Sequence, residues 1–196
     1  MLKKISSYLL LPLVLALSAC SKEVPVAEPA AEKPIQRTTI VSDASPAQTI
    51  PAAKTYTFVD KVNVVIEDPR LDKVVVQGEI RNAIASVMQA KGYSYEPDVA
   101  KADLVMGFLF SLESGLPDVE LIKMFGLSPG LMSISNDGRY EKATLVLGAM
   151  SNDTEQIYWK TMLQGFADFE RPRDEATKRA DRIVGEMLAN LPTAGQ

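Results

Sequence analysis

The side chains able to do chemistry in this 196-residue chain are carboxylates, amines, guanidiniums, hydroxyls and a single thiol; histidine is absent. Imidazole-based triads, histidine-containing metal sites, disulfides and paired-thiol redox motifs are excluded from the start. A hydrolytic reaction would then need two facing carboxylates or an activated Ser, Lys or Tyr. Asp98 and Asp103 flank a strand start, and Glu113, Asp118 and Glu120 gather near a turn. Their spacing lacks the repeated oxygen ligands of a calcium loop and reads as solvated charge. Ser128-Pro129-Gly130 is not a nucleophile elbow, and Gly126 and Gly130 precede neither Lys-Ser nor a helix start, so no phosphate cradle is expected. The residues assign no catalytic, metal or cofactor site, and a protein without enzymatic activity is expected.

The thiol, Cys20, stands in a telling context. Lys3 and Lys4 precede an uncharged, leucine-rich stretch over residues 5–16, the pattern of a secretory signal. That stretch is shorter than the about 20 apolar residues a permanent span requires. It ends in Leu17-Ser18-Ala19-Cys20, which resembles the lipobox of bacterial lipoproteins. The resemblance implies that residues 1–19 are removed, that Cys20 becomes a diacylated N-terminus, and that the mature chain stays on its membrane. Ser21, where Asp usually signals inner-membrane retention, favours the periplasmic face of the outer membrane. Removing Lys3 and Lys4 from 21 basic residues leaves 19 against 25 acidic ones, a net charge of −6. That balance opposes nucleic-acid binding.

Residues 20–54 carry five of the chain's twelve prolines, with no aromatic residue and no glycine, and are expected to form a disordered tether. A single domain is expected over 55–192, followed by a tail at 193–196. Residues 55–66 read as a strand broken near Asp60-Lys61. Asp72 caps a predicted helix that runs to about Lys91 and stops at Gly92. Residues 103–113 alternate, with Leu104, Met106, Phe108, Phe110 and Leu112 on one face. Residues 140–150 and 156–166 read as a β-hairpin, preceded by a turn at Asn136-Asp137-Gly138. Pro172 opens a last helix with Ala176, Ala180, Ile183, Val184, Met187, Leu188 and Leu191 on its apolar stripe. The expected fold class is α+β, an antiparallel sheet with two long amphipathic helices on one face.

Several local signatures resemble, in their order, the bacterial lipoproteins grouped as domain of unknown function DUF4136. They are Thr57-Phe58, Ala90-Lys91-Gly92-Tyr93, Ala102-Asp103-Leu104-Val105, Thr144-Leu145-Val146-Leu147 and Tyr158-Trp159-Lys160, with a closing Leu191-Pro192. Lys142-Ala143 departs from the Glu-Gly pair favoured there. The resemblance implies an envelope lipoprotein and carries no catalytic residues.

Residues 116–134 hold ten large apolar side chains between two strands, so a short helix over about 118–125 is expected. Val119, Ile122 and Phe125 would face inward, leaving Leu121, Met124, Leu127 and Leu131 as a possible partner contact. Trp159 is expected in the core or a cross-strand pair, and Lys178, Arg179 and Arg182 on a solvated helix surface. Three functions remain open. The leading one is a lipid-anchored binding or scaffolding module for an envelope partner, which needs an exposed patch. The second, a carrier of an amphipathic ligand such as a lipid, needs an apolar cavity. The third, a carboxylate hydrolase of an envelope polymer, needs two facing acids in a cleft. Mass spectrometry of the mature chain should find an N-terminal, lipid-modified Cys20; an unmodified Cys20 or another N-terminus would contradict the anchor.

Overall fold

The computed structural model describes residues 37–44, 50–128, 130–134 and 138–196. Cys20, the signal segment, most of the expected tether and the turn residues Asn136 and Asp137 lie outside them. Six strands form one sheet in the order β1-β6-β5-β4-β2-β3. They are β1 (Thr39–Ala44), β2 (Thr55–Val65), β3 (Ser94–Tyr95), β4 (Leu104–Leu112), β5 (Tyr140–Met150) and β6 (Ile157–Asp168). Three helices accompany them: α1 (Lys73–Ala90), α2 (Asp118–Phe125) and α3 (Arg173–Met187).

The sheet is mixed, not antiparallel, and among the described residues the two long helices are joined by a third, the short α2, over the stretch where the sequence predicts a short helix. β1, β6, β5 and β4 pair antiparallel, whereas β2 runs parallel to both β3 and β4. The reason lies in the connection. α1 intervenes between β2 and β4 and carries the chain back to the end from which β2 began, which makes the next neighbouring strand parallel. The break expected near Asp60 is present as a shift in the β2–β4 register between Phe58 and Asn63.

The expected tether is also corrected. Thr39–Ala44 forms the edge strand β1, pairing with β6 from Thr39↔Gln164 to Ala44↔Trp159, and Ala53 is buried. The run Thr38-Thr39-Ile40-Val41 has the β-branched composition of a strand, and the open edge of β6 supplies its partner.

Local chemistry sets the other boundaries. Asp72 accepts from the Val74 and Val75 amides at 3.1 Å each, capping α1. Gly92 takes φ +87° just beyond the helix, where a Cβ would be strained. Asp103 Oδ2 accepts from the Lys54 and Thr55 amides at 2.8 and 2.9 Å, fixing the entry of β2 beside β4. Those backbone bonds outweigh partial burial and hold the Asp103 carboxyl below its ordinary range.

Both faces of the central strands are covered. On one, Ile80, Ile84 and Met88 of α1 and Ile183, Val184 and Met187 of α3 pack with Leu104, Met106, Leu145, Leu147, Trp159 and Leu163. On the other, Leu121 and Leu127 pack on Val146 and Met162, with Phe125 and Leu109 partly buried beside them. The C-terminus is tied back: Lys91 Nζ donates to the carbonyls of Ala189 and Leu191 at 3.1 and 2.7 Å.

Candidate functional site

Adjacent residues of β5 and β6 face opposite ways, so each strand serves two layers. On the α2 face stands Lys142, its side chain only 2% exposed. Its ammonium meets Glu113 Oε1 at 2.9 Å and Asp118 Oδ2 at 2.8 Å, and donates to the Leu131 carbonyl at 3.3 Å. Gln164 Nε2 donates to Asp118 Oδ1 at 2.7 Å and to Thr144 Oγ1 at 3.1 Å, while Gln164 Oε1 accepts from the Leu131 amide at 3.3 Å. Ser133 Oγ donates to Glu113. Burial alone would lower the pKa of Lys142, but the bonds to Asp118 and Glu113 prevail and raise it. Glu113 and Asp118 therefore converge on a cation and serve as ties for α2 and its following loop.

This docking rotates α2 relative to the expected orientation. Leu121 is buried and Phe125 half-buried, whereas Val119, Ile122 and Met124 are exposed. Asp118, Leu121 and Phe125 recur at helical spacing, and the pull of Lys142 on Asp118 selects that stripe. Of the expected contact residues, Leu121 and Leu127 are core and Leu131 is half-buried; Met124 alone is exposed, and in the loop that follows Met132 is 85% exposed. Lys160 Nζ donates to the Phe125 carbonyl at 2.7 Å, satisfying the end of α2. Of the other residues weighed in the sequence, Trp159 is buried in β6, Asp98 accepts from the Ala100 amide at 3.1 Å, and Glu120 pairs with Lys123 at 2.8 Å.

The helix face is different. Between the sheet and the N-terminal halves of α1 and α3 lies a mainly apolar cavity of about 220 Å³. Its floor includes Ala143 and Gly165, which are direct partners across β5 and β6, and its roof includes Ala176 and Ala180. Small side chains on both layers leave space that larger ones would fill. It exceeds the about 150 Å³ at which an engineered apolar cavity binds benzene. Gly165 also lets a guanidinium approach: a Cβ there would stand 3.3 Å from Arg179 Nη2.

Arg171 and Arg179 line this cavity and also a cleft of about 300 Å³ outside it, where Lys178, Arg182 and Glu175 join them. Lys178 and Arg182 lie on the helix surface, Lys178 paired with Asp174 at 3.5 Å as expected and Arg182 with Glu186 at 2.7 Å. Arg179 is the exception. It points into the layer between helix and sheet, where Nη1 donates to the Phe166 carbonyl at 2.7 Å. The signal available in the sequence was its place on the apolar stripe, three residues after Ala176 and four before Ile183. A second apolar cavity of about 290 Å³ lies on the α2 face, but its only cation, Lys160, already has Phe125 and Asp43 as partners.

The fold is thus that of an α+β domain with a mixed six-stranded sheet covered on both faces. The chain belongs to the family described as a domain of unknown function, DUF4136, whose model matches residues 40–193. No curated protein matches it in sequence. Among solved structures it is similar to a PelC dodecamer from Paraburkholderia phytofirmans, at 9% identity and TM-score 0.47, covering 82% of this chain and 99% of that one. It is also similar to a DUF4136 family protein from Bacteroides thetaiotaomicron, at 14% identity and TM-score 0.43, covering 80% and 96%. A PDZ domain protein from Parabacteroides distasonis is similar at 11% identity and TM-score 0.47, covering 83% of this chain and 38% of that one.

Replacing Lys142 by Met should lower stability by about 1.5–3 kcal/mol, the usual worth of hydrogen bonds to charged groups. Amide exchange should accelerate first over residues 118–134. Because the folded pKa of Lys142 is raised, its contribution is full below the unfolded value of about 10.4 and is lost as pH rises through the folded one. Urea titrations at neutral and alkaline pH check both statements; unchanged stability and protection in the variant would contradict them.

Proposed function

We propose that this protein is a lipid-anchored, non-catalytic envelope protein whose domain binds an amphipathic ligand, with the cavity between the sheet and helices α1 and α3 as its binding place. The anchor is Cys20, and the periplasmic face of the outer membrane is the location that Ser21 favours. The observation that carries the reading is the cavity lined by Ala143, Gly165, Ala176 and Ala180, whose apolar walls meet a charged rim. Such a site suits a molecule with an apolar tail and a polar end. The scaffolding reading is favoured by a separate observation, the exposed Val119, Ile122, Met124 and Met132. Leu121 and Leu127 no longer contribute to it.

A neutral, polarity-sensitive dye such as N-phenylnaphthylamine should bind saturably at one site. Filling the cavity by Ala176→Leu with Ala180→Leu should weaken that binding about tenfold or more, since overpacked interiors resist further occupants. Met124→Ser with Met132→Ser should leave it unchanged. Dye binding that survives the first pair and is lost in the second would overturn the cavity reading in favour of the surface patch.

A further inference from the structure

The reading just given leaves the chemistry of the ligand's polar end unspecified, and two guanidiniums supply it. Arg171 has a side chain only 10% exposed. Its Nε and Nη2 are buried and have no hydrogen-bond acceptor among the described residues. Its nearest carboxylate oxygens are at ion-pair range only, Asp168 at 3.7 Å and Glu175 at 4.0 Å. Asp168 is already matched by Arg139, which donates through Nε at 3.0 Å and Nη2 at 3.2 Å. Arg179 has no carboxylate within ion-pair range among the described residues; its bond is to a carbonyl. Burial, with Arg171 and Arg182 as like-charged neighbours, pulls the Arg179 pKa below its ordinary value.

Buried guanidinium donors without an acceptor, as Arg171 Nε and Nη2 are, are costly unless an anion meets them, and the half-buried Arg179 lines the same pocket. A guanidinium presents its donors as a planar fork, the geometry that matches the oxygens of a phosphate or a carboxylate. Glu79, the other acid lining the cavity, is engaged elsewhere, accepting from Thr177 Oγ1 at 3.3 Å and lying 3.7 Å from Arg173. The apolar space and the donors adjoin, because Arg171 and Arg179 line both the cavity and the outer cleft.

We propose that the site selects a single-chain anionic amphiphile, its tail between Ala143 and Ala180 and its oxyanion head held by Arg171 and Arg179. This rests on the cavity being the binding place. Specificity comes from the difference between heads: a neutral head leaves the guanidinium donors as they are, whereas an oxyanion occupies them. Lys178 and Arg182 extend the basic rim outside and increase the local concentration of anions there.

The test uses the full mature chain carrying Cys20→Ser, so that no attached acyl group competes for the cavity. Dodecyl phosphate, dodecanoate, dodecyl maltoside and inorganic phosphate are titrated below their micellar concentrations, with displacement of the neutral dye as readout. The two anionic amphiphiles should bind about tenfold or more tightly than the maltoside, as expected for charge-assisted bonds, and inorganic phosphate should not displace the dye. Arg171→Met should remove most of that preference, weakening the anionic amphiphiles far more than the maltoside, and Arg171→Lys should restore part of it. Equal binding of neutral and anionic tails would overturn the head selectivity and leave the cavity reading standing. Failure of every tail to bind would overturn the cavity reading itself. Should Arg171→Met lose its thermal transition, Arg182→Gln, on the exposed rim, should reduce the preference to a smaller extent. No change in that variant, with no recovery in Arg171→Lys, would also overturn the proposal.

Discussion

The constraint on which the molecule depends is that its central strands are buried on both faces. Leu104, Met106 and Phe108 of β4 turn to α1 and α3, while Val105 and Leu109 turn the other way, and β5 divides in the same manner. A sheet of this kind needs cover on both sides. Two long helices supply one cover. The other is thin, an eight-residue helix and its following loop, too short to hold its place by apolar burial alone. Polar ties from the sheet supplement it: Lys142 and Gln164 hold Asp118 and the Leu131 backbone, and Lys160 holds the last carbonyl of α2.

The same strands set the character of the opposite face. Lys142 is followed by Ala143, and Gln164 by Gly165, so the residues that tie α2 alternate with the small residues that floor the cavity. Ala143 and Gly165 lie opposite one another in the β5–β6 register, which brings the two smallest side chains of that region together. Above them, α3 contributes Ala176 and Ala180. Gly165 further admits Arg179 between the layers. Apolar space and the half-buried Arg179 are thus two consequences of one small-residue pair.

Much of the framework was legible in the sequence, because its signals are local. Asp72 as a cap, Gly92 as a stop, the alternation along β4 and the hairpin of β5 and β6 depend on neighbours within a few residues. The parallel pairing of β2 with β4 was less visible, since direction depends on how a helix returns the chain. β1 was obscured by the prolines around it, although Thr39, Ile40 and Val41 have strand character; its partner lies more than a hundred residues away. The face of α2 was misjudged for an electrostatic reason. Periodicity allowed two stripes, and the choice fell to Lys142, whose role emerges only when Asp118 and Glu113 reach it. The cavity is a deficit of volume between distant segments, and no single stretch of sequence displays that.

The most direct test of the cavity account is methyl NMR of the mature chain carrying Cys20→Ser, labelled at alanine and methionine methyl groups and titrated with dodecyl phosphate. The account predicts saturable shifts at Ala143, Ala167, Ala176 and Ala180, with Met124 and Met132 unmoved. Shifts confined to Met124 and Met132, or none at the four alanines, would contradict it.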